Sequence, residues 1–207
     1  LISTPHNLHY PMVIEGIKAG KPVFVEKPLC LTEAQLEEIE KLVCEKRTPL
    51  FVGFNRRYSP LSVKAKELLR KKHGPYMIVY RVNAGFIPKN NWIQDLDVGG
   101  GRIIGECCHF FDLFNYFIED DIDSIQANSV PVNNANVVAR DNISATIKWS
   151  EGSMSTLIYT ALGHEALPKE RIEIFADGSA MVLDDFKELR LHGFHEKSLK
   201  LGRQDKG

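Results

Sequence analysis

Apolar positions along the first 55 residues alternate between short continuous runs and helical stripes. Leu1 to Thr4 reads as the end of a strand stopped by Pro5. Residues 7–19 carry Leu8, Met12, Val13, Ile17 and Ala19 at helical spacing and end at Gly20. Val23-Phe24-Val25 is a short continuous apolar run, the pattern of a strand buried on both faces. Thr32 with Gln35 three places on forms a capping box, followed by Leu36, Ile39, Leu42 and Val43 on one helical face. After Pro49, the run Leu50-Phe51-Val52-Gly53-Phe54 predicts another buried strand. Strand, helix, strand, helix, strand is the grammar of an α/β unit with a parallel sheet.

The rhythm then changes. Ser59-Pro60 predicts an N-cap and first-turn pair for a helix carrying Leu61, Ala65, Leu68 and Leu69, closed by Gly74-Pro75. A strand is expected near 76–83, and Val98-Gly99-Gly100-Gly101 leads into a helix holding Cys108, Phe111, Asp112, Phe114 and Asn115. From 122 onward the pattern is alternation, with strands expected near 122–132, 142–149, 153–160, 171–176, 180–183 and 188–192. Asp177-Gly178 signals a hairpin turn of the primed type, and Glu151-Gly152 another turn. The fold expectation is an α/β remnant of a Rossmann-like domain over 1–57. An α+β domain with a largely antiparallel sheet follows over 58–207.

Charge and composition narrow the partners. With 26 basic and 27 acidic side chains the net charge is -1, so no global field draws a polyanion, and no nucleic acid partner is expected. No apolar run is long enough to span a bilayer, so no membrane partner is expected. Cys30, Cys44, Cys107 and Cys108 match no disulfide scaffold, which favours a reducing, cytoplasmic setting. Consecutive Cys107-Cys108-His109 splay by about 100° each on a helix and cannot converge on one ion, so no metal is expected.

Three pieces in this order carry a resemblance: Thr4-Pro5-His6-Asn7-Leu8-His9 ahead of Glu26-Lys27-Pro28, then Phe54-Asn55-Arg56-Arg57-Tyr58-Ser59-Pro60, then the glycine run with Gly105-Glu106-Cys107-Cys108-His109-Phe110-Phe111-Asp112. Together they resemble the glucose–fructose oxidoreductase / inositol dehydrogenase / rhizopine catabolism family over about the first 120 residues. The resemblance implies an NAD- or NADP-dependent oxidoreductase acting on a secondary alcohol of a sugar, nucleotide-linked sugar or cyclic polyol. It also implies a homo-oligomer formed through the antiparallel sheet; Val137-Val138 and Ile158-Tyr159 point weakly to that contact. No GxGxxG occurs in the chain, so the pyrophosphate grip is expected to lie in a missing front part, and this chain alone is expected to bind no cofactor.

The resemblance assigns Lys27 and His109 as the catalytic pair. Hydride departure from an alcohol carbon needs the hydroxyl proton removed, which suits an imidazole near neutrality. An ammonium at the same oxygen stabilises alkoxide character. Taken alone, Lys27 reads as a surface residue and His109 as a satisfied helix histidine. His6, Glu26, Lys27 and Pro28 are the cofactor-side candidates. Asp112 binds substrate, orients the imidazole, or serves a structural hydrogen bond. Arg56 and Arg57 reach either a substrate anion or an interdomain carboxylate. Asn83 and Trp92 are candidate sugar contacts, with a core or interface role the alternative for Trp92. Many relatives carry Asp where this chain has Gly105, and Glu106 is the neighbouring carboxylate. That departure keeps two other readings open: a catalytically silent substrate-binding and oligomerisation module, and a regulatory homologue.

Overall fold

A computed structural model describes residues 1–130 and 137–207, which fall into two compact units. Unit 1 is Leu1–Phe54 with Ile87–His109, and unit 2 is Asn55–Phe86 with Phe110–Gly207.

In unit 1, α1 (His9–Lys18), β1 (Val23–Val25), α2 (Glu33–Lys46) and β2 (Leu50–Val52) follow the expected alternation. β1 and β2 pair in parallel, and the first expected strand is a single parallel bridge from Ile2 to Val25. Val13, Ile14 and Ile17 of α1 and Ile39 of α2 bury against Val23 and Val25. The capping box forms with one change: Thr32 accepts from the Gln35 amide, but the Gln35 side chain accepts from Leu31 N, one residue ahead of the cap. Leu36, expected on the inner face of α2, is exposed. The double-sided burial expected of the strands is not observed within this unit. Phe24 and Phe51 stay 42% and 57% exposed, because α1 and α2 pack on one side only.

Unit 2 holds α3 (Pro60–Leu69), β3 (Met77–Asn83), most of α4 (Cys108–Ile118) and seven further strands. These are β4 (Ile122–Ser129), β5 (Ile143–Trp149), β6 (Met154–Thr160), β7 (Glu170–Ala176), β8 (Ser179–Asp184), β9 (Glu188–His192) and β10 (Leu199–Lys200). Among the described residues they and β3 form one eight-stranded sheet in the order β10-β9-β8-β7-β3-β6-β5-β4. The expected antiparallel character holds except at its centre, where β3 runs parallel to β6. Positions 131 and 132 of the first expected strand here lie outside the described residues. Asp177 and Gly178 both take positive φ (45° and 68°), as a primed turn requires.

Inward positions of β3 and β6 meet α4 through aromatic rings: Tyr80 packs on Phe110 and Phe114, and Phe110 packs on Tyr159. Tyr159 is therefore a core residue, whereas its neighbour Ile158 is 43% exposed on the other face. Ser59 precedes α3 but does not cap it, because its hydroxyl donates instead to Asp205 O at 2.7 Å. Segment 201–207 thus lies along unit 2, held also by Leu201 N to Lys187 O and Asp205 N to Phe186 O.

One buried charge organises this end of the sheet. Glu170 is fully buried and accepts from Arg56 Nε and Nη2 at 2.8 and 2.9 Å, from Lys206 Nζ at 2.6 Å and from the Tyr80 hydroxyl. Burial alone would raise its pKa, but the Arg56 and Lys206 cations outweigh burial and hold it at about 2, against an ordinary 4.5. A carboxyl depressed in this way stabilises the fold above its unfolded pKa. That contribution is lost as pH falls from about 4.5 toward 2. Replacing Arg56 by Met removes the two-pronged partner of a buried carboxylate and leaves only Lys206 and Tyr80 on it, so urea denaturation at neutral pH should show a loss of up to about 3–5 kcal/mol. The acid-induced decline of the wild type should flatten in the variant Glu170→Gln.

Candidate active site

The parallel register of unit 1 brings three carboxyl ends to one rim: Thr4-Pro5-His6 after Ile2, Glu26-Lys27-Pro28 after β1, and Gly53-Phe54 after β2. Ligands of open α/β sheets sit beyond this end. Glu26 continues the pairing through its amide to Ile2 O at 2.8 Å, and its side chain is exposed. Pro28 is buried and joined to Lys27 by a cis peptide bond. Its carbonyl faces Nδ1 of the buried His9 at 2.7 Å, while Nε2 of His9 faces Thr4 O at 3.0 Å.

His6 begins a single 3-10 turn (His6–Leu8) ahead of α1. Its ring is 6% exposed, with Nδ1 2.7 Å from Gly99 O. A carbonyl only accepts, so Nδ1 carries the proton. Burial pushes the His6 pKa below the ordinary imidazole value. The Gly99 carbonyl opposes that shift, and positive charge at Lys27 and His9 reinforces it. Trp92, 46% exposed on the turn Trp92–Gln94, presents its ring edge-on to His6 at 4.9 Å.

The glycine run enters a five-residue π-turn, Ile103–Cys107, before α4 begins. π-turns recur at functional sites because the widened ring displaces side chains and carbonyls from their usual azimuth. Here Gly105 O accepts from Lys27 Nζ at 2.9 Å. A β-carbon on Gly105 would lie only 2.9 Å from His6 Cε1 and 3.3 Å from His6 Nδ1. The imidazole therefore fills the volume a side chain at 105 would need. His109 follows four positions later, 6% exposed, its ring edge-on to Phe54 at 6.1 Å. Glu106, the carboxylate next to Gly105, pairs with Arg102 at 3.1 Å.

Thus His6, Lys27 and Trp92 converge on the segment that carries Gly105 and His109. The other candidates belong to unit 2. Arg57 grips both carboxylate oxygens of Asp112, and this hydrogen bonding raises the Arg57 pKa despite partial burial. Arg56 is bound to Glu170 and stacked 5.0 Å from the centre of the Phe110 ring. Asn83 is 5% exposed and donates to His164 O and Leu167 O, stitching the chain before β7 to the end of β3. Glu170 was not anticipated among the functional side chains, and no local pattern distinguishes it from a strand-start carboxylate. The π-turn was likewise not foreseen; the triple glycine before it was its one visible sign. Among the described residues no group of three His, Cys, Asp or Glu could hold a metal ion. No helix among them is long and apolar enough to cross a membrane.

Residues 1–54 match the oxidoreductase family with an NAD-binding Rossmann fold, and residues 64–181 match the GFO/IDH/MocA C-terminal domain. The chain belongs to the GFO/IDH/MocA family. Inositol 2-dehydrogenase of Rubrobacter xylanophilus is 29% identical over 175 residues, covering 80% of this chain and 48% of that protein. Myo-inositol 2-dehydrogenase of Thermotoga maritima is 26% identical over 194 residues, covering 91% and 57%. The chain thus spans about half the length of these relatives. An inositol dehydrogenase homolog complexed with NAD+ from Azotobacter vinelandii superposes with a TM-score of 0.83 at 18% identity, over 97% of this chain and 56% of that one. This GFO/IDH/MocA chain therefore shares both halves of its fold with that structure: the parallel unit and the mostly antiparallel sheet.

The contact at residue 105 is directly testable. Gly105→Ala should cost about 1–3 kcal/mol through overpacking against His6. In the double variant with His6→Ala most of that cost should vanish. A denaturation cycle should report a coupling of about 0.5–3 kcal/mol between the two positions.

Proposed function

We propose that this chain is the substrate-side part of an NAD- or NADP-dependent dehydrogenase that interconverts a secondary alcohol and a ketone on a cyclic polyol or sugar-like molecule. In this reading 1–57 is the C-terminal part of the dinucleotide-binding domain, and 58–207 is the substrate-binding and oligomerisation domain. The observation that carries it is the Lys27 ammonium bound to Gly105 O at 2.9 Å, four positions ahead of His109, at the carboxyl rim of a parallel sheet. The names of the relatives and their NAD-bound fold neighbour support the same chemistry.

The residues present fit the nicotinamide end of such a cofactor. The rim offers the Lys27 ammonium and the exposed Trp92 indole, with no carboxylate bonded to Lys27 among the described residues. The pyrophosphate end would need a glycine fingerprint that this sequence lacks. The open Phe24 and Phe51 face supports further covering structure, since parallel sheets bury both faces. When bound, the nicotinamide supplies the hydride acceptor. Lys27 hydrogen-bonds the reacting oxygen and stabilises its developing charge, and His109 takes the hydroxyl proton. Trp92 offers an apolar platform for a ring face. Within unit 2, Asp112 holds the Arg57 guanidinium through both carboxylate oxygens.

Met77, Met154 and Phe175 are direct cross-strand neighbours on one sheet face, 52%, 37% and 44% exposed, and Ile158 continues the patch. Such a face suits a second copy of the chain. A reducing, cytoplasmic setting suits four cysteines that form no disulfide.

Calorimetry should find little or no NAD affinity for the 207-residue chain, and clear binding once a nucleotide-binding domain precedes it. Tight binding by the chain alone would overturn the division of labour. In the extended protein, myo-inositol should be oxidised with NADH formation. Lys27→Met and His109→Asn should each lower kcat/KM on the order of 10²–10⁴-fold. Unchanged turnover would remove both residues from the chemistry. Ile158→Glu should lower the oligomer size measured by light scattering, without loss of far-ultraviolet circular dichroism.

A further inference from the structure

We propose that His6 is a substrate-reading residue: its Nε2 accepts a hydrogen bond from a ligand hydroxyl adjacent to the oxygen that Lys27 engages, so the pair recognises a vicinal diol. The inference rests on the dehydrogenase reading for the identity of the ligand and on geometry within unit 1 for everything else.

The tautomer comes first. Nδ1 sits 2.7 Å from Gly99 O and must donate, which leaves Nε2 of a neutral ring as an acceptor. Lys27 from the end of β1 and His9 from α1 are the titratable groups facing the ring, and both favour the neutral form. Gly99, Gly105 and Trp92, on the other segments packed against it, carry no titratable group. Nε2 has no hydrogen-bond partner among the described residues. The sealed, partnerless side-chain atoms lie at other positions, Asn55 Oδ1 and Ser62 Oγ among them, so Nε2 keeps access to solvent. The residue is 6% exposed, and its one nitrogen without a protein partner is the one that reaches solvent, where a ligand hydroxyl can replace water.

Position comes second. His6 and Lys27 meet the same residue: the imidazole fills the space a side chain on Gly105 would take, and the ammonium donates to its carbonyl. A donor and an acceptor are thus fixed by one rigid turn. Lys27 offers only hydrogens and His6 Nε2 only a lone pair. Two neighbouring hydroxyls satisfy both, one accepting from the ammonium and one donating to the imidazole. A ketone or ether in the second place would leave Nε2 unpaired, and sites built on such hydrogen bonds reject analogues that lack the donor.

The test begins with the 207-residue chain itself. Long-range ¹H–¹⁵N NMR at pH 7 should show His6 neutral and protonated on Nδ1; an Nε2–H tautomer or an imidazolium would overturn the proposal. In the extended protein, calorimetry with myo-inositol at saturating NAD should show His6→Asn binding the polyol about threefold to tenfold more weakly, with NAD affinity unchanged. Asn retains a donor for Gly99 O but cannot extend an acceptor as far as Nε2. Unchanged polyol affinity, or a loss that falls on NAD instead, would overturn the inference and leave the dehydrogenase reading intact. Absence of myo-inositol binding by the wild-type protein would instead overturn the polyol reading, and the proposal with it.

Discussion

A β-carbon on residue 105 would lie 2.9 Å from His6 Cε1, and the carbonyl of the same residue accepts from Lys27. Most of the chemistry in unit 1 follows from that crowding. With no side chain at 105, the imidazole fills that space and bonds Gly99 O, and Lys27 reaches the Gly105 carbonyl. A side chain at 105 would require the ring or the turn to shift. The π-turn over Ile103–Cys107 contributes by carrying Gly105 and, four places on, His109 on one continuous helical path.

Unit 2 rests on a different kind of constraint. Glu170 is a carboxylate removed entirely from water, and it is tolerated only because Arg56, Lys206 and Tyr80 surround it. The network joins the segment after β2, the central strand β3, the start of β7 and segment 201–207. It makes Arg56 part of the framework, while the adjacent Arg57 is held by Asp112. Two consecutive arginines thus have separate partners, Glu170 and Asp112.

Elements with strong local signals were legible from the amino-acid order. The helix α1 with Val13 and Ile17 of its expected stripe buried (Leu8 and Met12 stay exposed), the Thr32 cap, the Asp177-Gly178 turn and the strands near their expected limits all reflect local periodicity or turn chemistry. Ser59 has the right residue type for an N-cap and does not act as one, because its hydroxyl is drawn to Asp205 O, 146 positions away. Leu36 satisfies the helical stripe but stays exposed, since the covered face of α2 is narrower than its apolar pattern.

By itself the sequence determined the alternation of elements, the balanced charge and a set of chemistry-bearing residues at Lys27, His109, His6 and Trp92. Only the tertiary structure decided their partners. The direction of β3 relative to β6, the burial of Glu170 and the seating of His6 against Gly105 depend on groups distant in the chain. Local propensity carries no information about such partners. The energy of a buried charge or a close ring contact depends on which distant groups surround it, and folding settles that through the packing of the whole unit.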